Sequence, residues 1–232
     1  MEGAAGAAAA VERLDEITRR LRRECPWDRE QDERSIVPHT VEEAYELADA
    51  AHTGDDAKLL DELGDVLFQV HFLALLVEER GAGSLAEVAE GCREKLIRRH
   101  PHVFGAVEAR TARDVRRNWD EIKRTTEGRG EDLFADVPET LPSLLYARKV
   151  LRRSEPVGRG AELETASARL EVQVERLRLG GAQGREQREA TVGEALLALV
   201  EAATALGVDP ELALREQTKH EQRRIREDAR DE

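Results

Sequence analysis

Four acidic side chains carry the clearest chemical signal in this chain: Glu43, Glu46, Glu62 and Asp65. They stand in Glu42-Glu43-Ala-Tyr-Glu46 and in Glu62-Leu-Gly-Asp65, each pair spaced i, i+3. On a helix that spacing puts both carboxylates on one face. Two such helices side by side would converge four anions on one small volume, which is unfavourable unless a cation sits there. An all-oxygen donor set suits a hard ion, and Mg²⁺ completes its shell with waters and substrate phosphates. The pattern therefore implies a Mg²⁺-dependent enzyme, with Mn²⁺ as a substitute ion, acting on a phosphorylated small molecule.

Taken singly, these residues have plainer readings. Thr40-x-x-Glu43 is the pattern of a capping box, in which Glu43 would accept from the Thr40 backbone N–H. Glu62 and Asp65 alone would read as a solvated helix face. The coincidence of all four beside apolar Leu63, Val66 and Leu67 is what favours a metal site. Glu42 adjoins the set and is a candidate general base, although helical geometry turns it about 100° from Glu43. Lys95, Arg98 and Arg99 lie within about one turn at the end of an expected helix. They suit phosphate contact, and equally a helix C-terminus that favours cations. Trp27 reads as a core anchor, and Trp119 as either core or site. His100 and His102 flank Pro101 as a helix stop, without the third ligand of a zinc-like set.

The elements that must position these groups are helical. The chain of 232 residues has 37% charged and only 3% aromatic residues. It shows no sustained period-two alternation. Residues 1–10 are expected to be disordered. Helices are expected over Val11 to Arg23 (stripe Leu14, Ile17, Leu21), over 39/40 to 53 with Thr40 as N-cap, and over Ala57 to Gly81. The stripe of the last is Leu63, Leu67, Val70, Ala74 and Val77. Further helices are expected over Ser84 to Arg99, Ala112 to Thr126, Leu144 to Arg153, 161–178, 190–206 and from Pro210 onward. Residues 127–136 read as a linker and Gly180 to Gly184 as a flexible turn.

The net charge of −13 argues against a nucleic-acid polymer as partner. Cys25 and Cys92 do not make a disulfide framework, and the apolar run Val66 to Val77 is too short to span a bilayer. A soluble cytoplasmic protein without membrane partners is the expectation.

The back half reads as a worn copy of the front. Gly64-Asp65-Val-Leu answers to Gly193-Glu194-Ala-Leu, and Arg98-Arg99 to Arg223-Arg224. On this alignment Thr191 replaces Glu62, and Val172, within Glu171-Val-Gln-Val-Glu175, replaces Glu43. That copy should bind Mg²⁺ poorly.

The motifs Cys25-Pro-Trp-Asp-Arg-Glu-Gln31, Thr40-Val-Glu-Glu-Ala-Tyr-Glu46, Glu62-Leu-Gly-Asp-Val-Leu-Phe68, Arg98-Arg-His-Pro-His-Val-Phe104 and Trp119-Asp-Glu-Ile-Lys123 together resemble the MazG family of nucleoside triphosphate pyrophosphohydrolases, of the all-α NTP pyrophosphatase group. The resemblance is strong over about 12–126 and weaker over 138–226. It implies an all-α fold of tandem four-helix-type repeats forming a dimeric helical bundle. It divides the chain into a disordered 1–10, a catalytic repeat over 11–127, a linker with a short helix over 128–160 and a degenerate second repeat over 161–232. It implies hydrolysis of an NTP or dNTP to the monophosphate and diphosphate, in the service of nucleotide-pool house-cleaning. Glu43, Glu46, Glu62 and Asp65 would then hold Mg²⁺, Lys95, Arg98 and Arg99 would approach the phosphates, and Trp119 and Lys123 would belong to the substrate site. Two alternatives remain open: a helical dimerisation or nucleotide-sensing module without turnover, and a narrow-specificity pyrophosphatase for dUTP or a phosphoribosyl nucleotide.

Overall fold

The computed structural model describes residues 2–125, 132–135, 137–179 and 184–231. Most of the expected linker, at 127–131 and 136, and most of the expected turn, at 180–183, lie outside them. Among the described residues the chain is all-α, as its composition implies. It divides into two compact units, one ending at Glu108 and the other beginning at Ala109.

The first unit comprises α1 (Glu2–Glu24), α2 (Pro26–Glu30), α3 (Glu33–Thr53), α4 (Asp56–Glu79), α5 (Leu85–Arg99) and α6 (Pro101–Phe104). α3 and α4 form a hairpin, against which α1 and α5 pack through α4. Contrary to the expected disorder, α1 starts at Glu2, because alanine at 4, 5 and 7–10 is the strongest helix former available. Cys25-Pro26 stops it where expected.

α3 also starts earlier than the sequence suggested. Asp32 accepts from Ser35 N at 2.8 Å, and Ser35 Oγ accepts from Asp32 N at 2.9 Å. This reciprocal cap sets the start of the helix. Thr40 is therefore no N-cap: it lies inside α3 and its Oγ1 donates to Ile36 O at 3.3 Å. Pro38 falls inside the helix as well, where it forgoes one backbone bond near the N-terminal end. Glu43 is thus released from any capping role. The helix ends at Gly54, whose φ of 69° is the left-handed conformation glycine adopts without cost. Asp55 Oδ1 then accepts from Ala57 N at 3.0 Å and Lys58 N at 3.1 Å, starting α4.

The core of this unit is Ile36, Phe72 and Leu76, flanked by Phe68 and Leu73. The Phe68 and Phe72 rings meet at 5.8 Å, and the Arg22 guanidinium sits 5.9 Å above Phe72. The buried face of α4 therefore runs through Glu62, Gln69, Phe72 and Leu76. The expected stripe fails over its first half, since Leu63, Leu67 and Val70 are exposed. α4 is apolar around most of its girth, so hydropathy alone does not choose its inner face. On α1, Thr18 is buried while Ile17 and Leu21 are exposed, and Trp27 is 50% exposed with its edge against His39 rather than in the core.

α1 is fastened to α4 by charge. Arg19 Nη1 and Nη2 donate to Glu78 at 2.9 and 2.6 Å, and Arg19 Nε to Asp15 at 2.7 Å. Arg22 pairs with Glu79 at 2.9 Å and donates to the carbonyls of Asp28 and Gln31. These forked contacts raise the pKa values of both arginines and lower that of Glu78.

The second unit contains α7 (Ala112–Thr125), α8 (Ser143–Ser154), a 3₁₀ turn (Glu155–Val157), α9 (Leu163–Leu179), α10 (Arg185–Ala205) and α11 (Pro210–Asp231). α9 and α10 form its hairpin, and α8 packs on α10 and α11. The buried apolar residues of that hairpin are small (Ala166, Ala195, Ala198 and Val200), and Glu201 is buried against Arg169 at 2.8 Å. Among the described residues no single helix is long and apolar enough to cross a membrane.

Phe72→Ala should destabilise the first unit by about 3–5 kcal/mol through the cavity it leaves. Arg19→Ala should cost about 1 kcal/mol or less, because solvent reaches a third of its side chain. Urea unfolding of the full chain checks both, and equal costs would contradict the core assigned here.

Candidate metal centre

The hairpin of α3 and α4 brings Glu43, Glu62 and Asp65 together. One carboxylate oxygen from each lies within 4.8 Å of the others. Glu43 comes from the middle of α3, and Glu62 and Asp65 from the second and third turns of α4. Glu62 is only 6% exposed, Glu43 is half-buried and Asp65 faces solvent. The cluster is thus enclosed at its base and open at its mouth. None of the three is in an ion pair or hydrogen bond among the described residues.

The electrostatics follow from that geometry. Burial, then the charges of Asp65, Glu46 and Glu62, push the Glu43 carboxyl above its ordinary value of 4.5. Burial, then the charge of Glu46, push Glu62 up in the same way, with Asp65 and Asp61 adding to it. Lys58 opposes this shift in Glu62. It lies one turn before Glu62, and the sequence reading passed over it. Its signal was the i, i+4 Lys-to-Glu spacing.

Glu46 is exposed and outside the group of three, yet its charge is felt by both Glu43 and Glu62. It therefore lies near enough to act on the cluster by charge without being one of its three members. Glu42, the candidate base, lies outside the cluster: its carboxylate faces His39 Nδ1 at 3.8 Å on the exposed side of α3. Lys95 and Arg98 are exposed and Arg99 is half-buried, all towards the end of α5. His100 caps that helix and donates from Nδ1 to Leu96 O at 2.6 Å, which accounts for it without a metal. Trp119 and Lys123 are half-buried on α7, in the second unit. A shallow groove on α1, lined by Ile17, Arg20, Leu21, Glu24 and Cys25, shares no residue with the cluster.

The donor set fits a hard divalent cation. Three carboxylates whose oxygens lie within 4.8 Å of one another, one of them buried, are stabilised by a +2 charge, and an oxygen-only donor set suits hard divalent ions better than soft ones. The open side leaves room for phosphate oxygens.

Comparison with known proteins shows what the chain is similar to. Residues 31–104 match the model of the MazG nucleotide pyrophosphohydrolase domain, a span that contains the whole α3–α4 hairpin and α5. A nucleoside triphosphate pyrophosphohydrolase of Escherichia coli K12 is 36% identical over 94% of this chain and 86% of its own length. A protein of Thermotoga maritima named nucleoside triphosphate pyrophosphohydrolase/pyrophosphatase MazG is 34% identical over 92% of this chain and 83% of its length. Among solved structures, a mazG-related protein from Thermotoga maritima aligns with 49% of this chain and 98% of its own, at 28% identity and a TM-score of 0.43.

The raised carboxyls fix the direction of a pH dependence. A folded-state pKa above the unfolded value means that Glu43 and Glu62 favour the fold while protonated. Their ionisation costs stability as the pH climbs from 4.5 through the raised values. A divalent ion competes with those protons and binds more tightly over the same rise. Mg²⁺ should therefore add little to the melting temperature near pH 4.5 and progressively more towards pH 7. At a hundred times its Kd the gain is about 2.7 kcal/mol. Glu62→Gln should lose most of it, and an identical Mg²⁺ response in wild type and Glu62→Gln at every pH would dismiss the site.

Proposed function

The chain belongs to the MazG nucleotide pyrophosphohydrolase family, and from that premise we propose that it hydrolyses nucleoside triphosphates to monophosphate and diphosphate with Mg²⁺. The observation that carries this reading is the meeting of Glu43, Glu62 and Asp65 across α3 and α4. It is a hydrolase acting on a phosphoanhydride bond. When bound, the ion would neutralise phosphate oxygens and acidify an attacking water.

The chain's own residues do the rest. Glu43, Glu62 and Asp65 hold the ion, with Glu46 completing the set from the rim. Lys95, Arg98 and Arg99 offer cations on α5, which packs against the ligand-bearing α4, and there they meet the diphosphate end of the substrate. Trp119 and Lys123, on α7, are further candidates for substrate contact through the likeness of Trp119-Asp-Glu-Ile-Lys123 to the family's motif. Glu42 is the candidate general base by its place next to Glu43 in the sequence, with its carboxylate 3.8 Å from His39 Nδ1. The exposed stripe Leu60, Leu63, Leu67 and Val70 on α4 suits a helix face of a second copy, so the working form is a homodimer. The free thiols Cys25 and Cys92 fit a reducing cytoplasm, where removal of unwanted nucleotides is the role.

The test is product analysis by ion exchange after incubation with Mg²⁺ and a panel of NTPs and dNTPs. Wild type should release monophosphate and diphosphate, and Glu62→Gln should lose about a hundredfold or more in kcat/KM. Release of inorganic phosphate instead, or equal turnover by Glu62→Gln, would refute the reading.

A further inference from the structure

Burial gives the second hairpin a register that sequence similarity misses. On α4 the buried set includes Glu62, Gln69, His71 and Phe72, and on α10 it includes Thr191, Ala198, Val200 and Glu201, at the same intervals. α4 and α10 also begin the same distance ahead of these sets, at Asp56 and Arg185. On α3, Ile36 is buried and Thr40 and Glu43 are half-buried. On α9, Ala166 is buried, Leu170 half-buried and Gln173 buried, again at the same intervals. Gln173, not Val172, therefore stands in the place of Glu43: Gln173 is 8% exposed and Val172 is 50% exposed. The slip of one residue carries Arg176 into the place of Glu46. Glu175, which similarity paired with Glu46, faces Arg178 at 3.5 Å instead.

In this register Glu43, Glu46, Glu62 and Asp65 become Gln173, Arg176, Thr191 and Glu194. Four anionic positions become one anion and one cation, with two neutral groups. These groups answer one another. Arg176 Nη1 donates to Glu194 Oε2 at 3.0 Å, across from α9 to α10, and to Gln173 Oε1 at 3.4 Å. Thr191 Oγ1 donates to Gln187 O at 2.9 Å.

We propose that the α9–α10 hairpin keeps the frame of a metal site and fills it with its own cation, the Arg176 guanidinium, so that it takes no divalent ion but regains a divalent-ion site when Gln173, Arg176 and Thr191 are returned to glutamate. The proposal rests on the reading of the α3–α4 hairpin as the metal site. Replacing an anion by a guanidinium at the rim removes the repulsion that a metal relieves in the first hairpin. The charge is built in covalently, and the second hairpin stays assembled whatever the supply of metal.

Amide hydrogen exchange of the full chain, with and without Mg²⁺, tests the two readings apart. In wild type, exchange in α3–α4 peptides should slow by up to about a hundredfold at a hundred times the Kd, while α9–α10 peptides should not respond. No response in α3–α4 would fell the first reading. Mg²⁺-dependent protection of α9–α10 that survives in Glu62→Gln would overturn the present one. The decisive variant combines Gln173→Glu, Arg176→Glu and Thr191→Glu on the Glu62→Gln background. Protection of α9–α10 by Mg²⁺ or Mn²⁺ in that variant, or folding that requires the ion, is the expected result. A variant that folds without gaining protection, or stays unfolded with the ion, overturns the proposal.

Discussion

The repulsion among Glu43, Glu62 and Asp65 is the constraint around which the first unit is organised. Like charges this close oppose folding unless something else holds their helices together. The opposing contributions lie further along the same hairpin. Phe72 and Leu76 are buried against Ile36, two to four turns from Glu62, and α1 is clamped to the far end of α4 through Arg19 and Arg22. The carboxylates thus sit nearer the α3–α4 turn than the Ile36, Phe72 and Leu76 core does. A helix is stiff over that length, so packing at one end fixes positions at the other. The site is thereby held by a core further along the same two helices.

This division explains why a buried glutamate is tolerated. Glu62 lies on the same helical face as Phe72 and Leu76, the face that α3 covers. Its burial is a by-product of sharing that face, and the cost appears as its raised pKa. Thr191 on α10 is buried as well, but its hydroxyl is satisfied by its own helix, and no such cost arises. The α9–α10 hairpin also pairs its charges across its two helices, Arg176 donating to Glu194 at 3.0 Å.

Much of this was legible in the chain itself. The i, i+3 pairs placed Glu43, Glu62 and Asp65 on facing helices, and Gly54, Ser84 and Pro101 marked helix limits where the structure has them. Three features were hidden, each for a physical reason. Thr40 has the residue type of an N-cap, but the reciprocal Asp32–Ser35 cap lies upstream and carries α3 through Pro38, so Thr40 falls inside the helix. α4 is apolar on more than one face, so Leu63, Leu67 and Val70 read as core although Gln69 and Phe72 face inward. On α9 the neighbours Val172 and Gln173 cannot be told apart by spacing, and only burial separates the exposed valine from the buried glutamine.

The connection between α3 and α4 is two residues, Gly54 and Asp55, one in the left-handed conformation and the other capping the next helix. Such a joint works as a phase setting. Each residue added to a helix turns everything beyond it by about 100°. A single insertion before Glu62 that was absorbed into α4 would swing its carboxylate off the α3-facing side and leave the overall helix content unchanged. A change of length in this hairpin therefore acts on the site by angle rather than by distance, whereas a change of composition that keeps the count of residues between Glu43 and Glu62 leaves that angle alone.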